Sequence, residues 1–135
     1  MGADLRLLQG TWQAVRLETG TGPVPDEVVR QLRYVFEESQ VTLLEGDRTT
    51  GTGIIAVHPA TSPKAIDVAM TEGPGRGQTA RGIYEVAGDR LVLCIGPERP
   101  SAFKPTESVS LVELVREQSA QRRTERETPG DLPRG

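Results

Sequence analysis

Five polar side chains between positions 67 and 104 have the chemistry to bind a small molecule or to assist a reaction, and they are Asp67, Arg81, Tyr84, Arg99 and Lys104. A phenol or a guanidinium can hydrogen-bond a polar ligand or stabilise negative charge that develops in a reaction. For Arg99 and Lys104, which bracket one loop, an ion pair that fixes the loop is favoured over anion binding. The acidic partner of such an ion pair would be Asp67 or Glu85.

Candidate ligand contacts come from a strand and from a nearby loop. Tyr84 shares its strand face with Val86, and a tyrosine at the mouth of a cavity commonly contacts a ligand. Arg99 and Phe103 lie in the same loop and complete the set of expected contacts. Asp67 shares a face with two small alanines, which either leave room for a ligand or mark an outer face.

Other reactive residue types favour structural roles. His58 is the only histidine and has no second His or Cys nearby, so we expect no metal site and no cofactor. Its position at a strand end is more typical of an exposed residue than of a general base. Cys94 lies in an apolar run, where a free cysteine behaves as a small hydrophobe with a raised pKa.

Composition excludes several classes of function. A net charge of −3 and an aromatic content of 4% argue against nucleic-acid binding, which needs basic patches or stacking platforms. No run approaches the ~20 apolar residues of a membrane span, and no secretory signal opens the chain. One cysteine cannot form an intramolecular disulfide. We therefore expect a cytoplasmic protein without membrane partners.

Alternation of apolar and polar residues predicts an all-β protein, an antiparallel β-barrel of about eight strands with one short helix at 26–33. Residues 1–117 are predicted as one domain. Residues 118–135 are polar and of mixed charge, so they are predicted as a disordered tail, with a solvated helix at 117–127 as the alternative. The predicted strands are 11–18, 34–37, 40–45, 49–58, 64–70, 79–86, 91–95 and 109–116.

The only tryptophan, Trp12, stands two residues after Gly10 at the start of the first strand, and Arg116 ends the last strand. These two residues can meet only if the first and last strands close one barrel. This arrangement resembles the closed end of lipocalin-like barrels, where a guanidinium stacks over the indole ring. We assign Trp12 and Arg116 to barrel closure rather than to ligand binding.

Several further segments extend this resemblance over about residues 7–116. They are Leu8-Gln9-Gly10-Thr11-Trp12, Pro63-Lys64-Ala65-Ile66-Asp67, Gly82-Ile83-Tyr84-Glu85-Val86, Gly88-Asp89, Leu91, Leu93-Cys94, Arg99-Pro100, Phe103 and Leu114-Val115-Arg116. In these segments the chain resembles a family of small lipocalin-like domains of unknown function that is abundant in planctomycetes and occurs in other bacteria. The resemblance implies a barrel without an assigned activity. The short loop at 96–98 departs from the family pattern.

Three hypotheses for function follow. The leading one is a binding protein that takes a small apolar or amphipathic molecule into the open end of the barrel. The second is a cofactor-free isomerase or cyclase that stabilises charge with Tyr84 or Arg99. The third is a filled barrel that serves as a protein-interaction module. A cavity separates the first two from the third, and oligomeric state is left open by the sequence.

Overall fold

The computed structural model describes residues 2–117, and the predicted tail at 118–135 lies outside the described residues. Within residues 2–117 there are nine strands and two short helices. In chain order these elements are α1 (Ala3–Leu8), β1 (Gly10–Thr19), β2 (Gly22–Pro23), α2 (Asp26–Val29), β3 (Leu32–Glu37), β4 (Gln40–Glu45), β5 (Arg48–His58), β6 (Ala65–Glu72), β7 (Thr79–Ala87), β8 (Arg90–Gly96) and β9 (Ser110–Arg116).

The strands form one closed antiparallel barrel, which confirms the predicted fold class. Strands β3 to β9 follow each other as neighbours, and β1 pairs with both β3 and β9. Its pairing with β3 ends at Gln13 opposite Arg33, whereas its pairing with β9 continues to Glu18 opposite Leu111. The two-residue β2 adds only to the far end of β1. Eight strands therefore make the barrel wall.

Alternate residues of each strand fill the interior, as the period of two requires. Paired residues on neighbouring strands point to the same side of the sheet. The inward-facing apolar residues of all eight strands therefore form one continuous layer around the interior. Beyond Gln13, where the pairing of β1 with β3 ends, helix α2 packs against β1. Its Val29 is buried in the core. The buried residues of this core are Leu8, Trp12, Ala14, Val29, Phe36, Val41, Ile55, Ile66, Tyr84, Leu91, Leu93, Val112 and Leu114.

Helix α2 is shorter than the predicted range 26–33. It ends at Val29, and the chain then enters β3. Leu32 lies opposite Glu45 in the β3–β4 ladder. Residues that were expected to form the last helical turn therefore belong to strand β3 instead.

The other helix, α1, was not predicted from the sequence. It has six residues, and Gly2 at its N-cap makes no side-chain capping bond. A helix of this length is not stable alone, so tertiary contacts must hold it. Leu8 is fully buried, and the Gln9 amide exchanges two hydrogen bonds with the Glu38 backbone at 2.6 and 2.9 Å. These contacts fix α1 across one end of the barrel.

Trp12 and Arg116 meet at the same end. The Arg116 guanidinium lies 4.2 Å from the centroid of the Trp12 ring, and the indole N–H donates to the Leu8 carbonyl at 2.8 Å. Arg116 also donates to the carbonyls of Leu7 (2.9 Å) and Gln9, and its Nε lies 2.9 Å from an Asp89 carboxylate oxygen. One side chain thus joins α1, β1, β9 and the β7–β8 turn.

Gly10 is required at this closed end by two geometric facts. Its φ is +118°, a conformation that residues with a side chain rarely adopt. A Cβ at this position would also lie 3.2 Å from Nη1 of Arg116. The glycine before Trp12 therefore permits the guanidinium to reach the backbone.

A smaller apolar cluster lies outside the barrel, beneath the 97–109 loop. Ile83, Cys94, Val109 and Leu111 are its buried members, and Phe103 packs against them. The Cys94 Sγ lies 3.5 Å from the Lys104 carbonyl. Burial raises the pKa of the thiol, against a smaller opposing effect of the hydrogen bond to the Lys104 backbone. Cys94 is a buried core residue, as predicted.

We expect Trp12→Ala to lower the free energy of unfolding by about 3–5 kcal/mol, because a fully buried aromatic ring is lost. Arg116→Ala should cost about 2 kcal/mol through lost stacking and unpaired carbonyls. Chemical denaturation of both single variants and the double variant should give a coupling energy of at least ~0.5 kcal/mol. Strict additivity would show that the contact contributes nothing to barrel closure. Arg116→Lys, which keeps the charge but not the planar fork, should show an intermediate loss.

Candidate functional site

An apolar cavity of about 160 Å³ lies inside the barrel. Its lining comes from five of the eight wall strands, β3, β4, β6, β7 and β8. The Tyr34 hydroxyl is the only side-chain O–H or N–H group in that lining. The lining residues are Tyr34, Phe36, Val41, Leu43, Ile66, Val68, Met70, Ala80, Leu93 and Ile95.

Small residues on the inner face determine where the Met70 side chain lies. A Cβ built on Gly51 would lie 3.0 Å from the Met70 Cε, and one built on Gly53 would lie 3.2 Å from the Met70 Sδ. The Met70 side chain therefore occupies the room that side chains at these two positions would take. Ala80 is the third small residue on this side. Because a methionine side chain is unbranched and flexible, Met70 gives the cavity an adaptable wall.

The cavity opens at the end of the barrel opposite α1. Phe36 and Ile66, deep in the lining, are buried, whereas Leu43, Met70 and Ile95 are only half-buried. The half-buried three lie near the ends of β4, β6 and β8 that point away from α1. The barrel is thus plugged at one end and partly hollow at the other.

Tyr34 faces this hollow because it lies opposite Trp12 in β1 and Leu43 in β4, both of which point inward. Burial raises the pKa of its phenol, so the group is uncharged at neutral pH. Within residues 2–117 the Tyr34 hydroxyl has no hydrogen-bond partner. Sequence reasoning missed this residue. The sequence feature that could have identified it is the alternation of Leu32, Tyr34 and Phe36, which places all three side chains on one face of the strand.

Tyr84, a predicted ligand contact, points into the barrel but lies at the plugged end. Its hydroxyl donates to the Asp4 carboxylate at 2.7 Å, and the Lys64 ammonium lies 3.0 Å from the same oxygen. The hydrogen bonds from Tyr84 and Lys64 lower the pKa of Asp4. Burial and the bond to Asp4 raise the pKa of Tyr84. The hydroxyl therefore docks α1 onto the barrel and does not line the cavity.

Asp67 and Arg99 form an ion pair on the outer face of the barrel. The Arg99 Nη2 donates to Asp67 Oδ1 at 2.7 Å, and Nη1 donates to the carbonyls of Ile66 and Gly82. The His58 Nε2 lies 3.0 Å from the other Asp67 oxygen. Burial acts to raise the pKa of Asp67, but hydrogen bonds from His58 and Arg99 outweigh it, so the pKa is lowered. Of the two alternatives left open by the sequence, this geometry is that of a structural ion pair.

The remaining predicted contacts also lie outside the cavity. Phe103 packs on the outer cluster around Cys94. Arg81 lies opposite Asp67 in the β6–β7 ladder, and its side chain is exposed. Lys104 is exposed as well, and no ion pair of Arg81 or Lys104 occurs in the described part of the chain. The predicted residues therefore do not converge on one site.

Two open clefts on the outer surface flank the loop around Pro63. One, of about 400 Å³, is bordered by Lys64, Tyr84 and Phe103, and the other, of about 320 Å³, by His58 and Arg99. Most of their charged groups are already paired with Asp4 or Asp67, as described above. No group of three metal-ligating side chains is found among residues 2–117. The interior cavity is therefore the better candidate site.

Comparisons with known proteins gave no match. No protein-family model matches the chain, and no curated protein or solved structure is significantly similar to it. Within the described residues, neither helix has the length and apolar character that crossing a membrane demands. The site must be interpreted from its own geometry.

The Asp4 contacts predict a pH-dependent contribution to stability. A carboxylate whose folded pKa is lowered stabilises the fold above its unfolded pKa of about 3.9, and this contribution is lost as pH falls through the folded value. We expect Asp4→Asn to lower the free energy of unfolding at pH 7 by about 1–2 kcal/mol. Thermal denaturation should show this difference shrinking toward zero near pH 2.

The matched control is Asp47→Asn in the exposed β4–β5 turn. It removes a carboxylate without touching α1 and should leave the melting temperature near that of the unmodified protein. An Asp4→Asn deficit that stays constant from pH 7 to pH 2 would show that its charge does not hold α1.

Proposed function

We propose that this protein binds one small apolar molecule inside the open half of its barrel. The observation that supports this proposal is the apolar cavity at the end opposite the Trp12 plug. Apolar surface that leaves water on binding is favoured by about 25 cal/mol per Å². A ligand there would gain contacts with side chains such as Phe36, Ile66 and Leu93. We include in this proposal membership of the planctomycete-type lipocalin-like family, which the sequence resembles.

The size of the cavity limits the ligand. Drug-sized ligands occupy pockets of roughly 300–1,000 Å³, whereas an engineered apolar cavity of about 150 Å³ in another protein holds benzene. A volume of about 160 Å³ therefore suits a single ring or a short branched chain. A longer amphipathic ligand would place its polar end beyond Met70 and Ile95, at the open end.

Binding is favoured over catalysis by the lining itself. General acid–base catalysis needs groups whose pKa values suit proton transfer near the working pH. The only titratable group in the lining is Tyr34, and its raised pKa holds the proton on the phenol. The isomerase or cyclase hypothesis would need a second group, and Tyr84 and Arg99 are engaged elsewhere. We also propose a cytoplasmic location, which the buried, unpaired Cys94 supports.

A cavity-filling substitution tests this proposal with toluene as the probe. Ala80→Leu places extra methyl groups in the cavity and should abolish saturable toluene binding without lowering the melting temperature. Methyl NMR of the unmodified protein should show saturable shifts confined to lining residues such as Ile66, Val68 and Leu93. The matched control is Ala69→Leu on the outer face of β6, which should bind toluene as the unmodified protein does.

Two results would contradict the proposal. One is toluene binding by Ala80→Leu at unchanged affinity. The other is a set of shifts that maps to the outer clefts around Pro63 instead of the barrel interior.

A further inference from the structure

We propose that the Tyr34 hydroxyl is the polar anchor of the cavity, and that the ligand is an uncharged single-ring compound with one oxygen substituent. Phenols are the simplest members of this class. The inference rests on the proposed function, because it specifies the ligand of the same cavity. It adds a chemical selectivity that an apolar cavity alone would not have.

The case begins with how the polar groups of the two fully buried aromatic side chains, Trp12 and Tyr84, are satisfied. The Trp12 indole N–H donates to the Leu8 carbonyl, and the Tyr84 hydroxyl donates to Asp4. Tyr34 differs from both: it is half-buried, and its hydroxyl has no partner in residues 2–117. The apolar lining partly shields this hydroxyl from water, so a polar group that reaches it gains a hydrogen bond. A phenylalanine would pack the same wall without a donor, so the hydroxyl offers a bond to a molecule that enters the cavity.

The lining also defines the charge of that partner. None of the ten lining residues carries a charge, and the hydroxyl is the only strong hydrogen-bonding side-chain group among them. An isolated carboxylate or ammonium would lose its hydration with no counter-ion to replace it. A neutral oxygen substituent, by contrast, can accept the Tyr34 O–H bond or donate to its oxygen. An uncharged ligand with one such group matches both features.

The volume of the cavity limits the size of the apolar part of the ligand. A cavity of about 160 Å³ holds one six-membered ring and one small substituent. The other walls, including Phe36, Ile66 and Leu93, offer only apolar contact to the ring. The hydroxyl therefore determines which way the ring lies, because only one edge of the cavity can receive the oxygen.

Phenol and toluene provide a matched pair of probes, since they differ by a hydroxyl in place of a methyl group. Their dissociation constants should be measured by titration calorimetry for the unmodified protein, Tyr34→Phe and Tyr84→Phe. Tyr34→Phe should shift the affinity ratio toward toluene by roughly 3- to 10-fold, the amount that one hydrogen bond contributes. Tyr84→Phe, which removes a hydroxyl from the plugged end, should leave the ratio unchanged.

A second measurement needs no substitution. In the unmodified protein, saturating phenol should slow exchange of the Tyr34 hydroxyl proton with water in NMR spectra, and toluene should not. Benzoate, which has the same ring with a charge, should bind at least about tenfold more weakly than phenol.

The outcomes separate this inference from the proposed function. If neither phenol nor toluene binds in the barrel, the proposed function itself is wrong. If both bind and Tyr34→Phe leaves their ratio unchanged, the cavity is a binding site but Tyr34 is not its anchor. Benzoate binding as tight as that of phenol would overturn the restriction to uncharged ligands.

Discussion

The stacking of Arg116 on Trp12 is the contact on which the rest of the barrel depends. Trp12 and Arg116 are also paired residues of the β1–β9 ladder, and this ladder leaves the wall without a free edge. The same guanidinium reaches the backbone of Leu7 and Gln9, which holds α1 over the end. Within residues 2–117 this end is closed, and the cavity lies toward the opposite end.

The two ends of the barrel interior differ in how completely side chains fill them. Bulky side chains such as Trp12 and Tyr84 fill the plugged half, and the indole N–H and the phenol O–H of these two residues each donate to a protein partner. On the other side, Met70 occupies the space beside Gly51 and Gly53, and the lining encloses a cavity of about 160 Å³. One fold therefore combines a densely packed half with a hollow half, where we propose that a ligand binds.

Strand alternation in the sequence predicted the all-β class and the number of wall strands, and the resemblance carried by Trp12 and Arg116 predicted that the two terminal strands meet. The site could not be predicted in the same way, because side-chain direction and partners depend on tertiary contacts. Asp67 points outward, where Arg99 pairs with it. Tyr84 points inward as its pattern indicates, but α1 supplies Asp4 as its partner, and six residues without a capping bond gave no helix signal. Tyr34 carried the right alternation without any feature to set it apart.

Diffraction from crystals soaked in bromobenzene would test the central claim most directly, because bromine marks its own position by anomalous scattering. The account predicts one bromobenzene inside the barrel, with its ring among Phe36, Ile66 and Leu93 at the end opposite Trp12. Bromine found only in the outer clefts beside Pro63, or no bromine within the barrel at full soaking concentration, would contradict it.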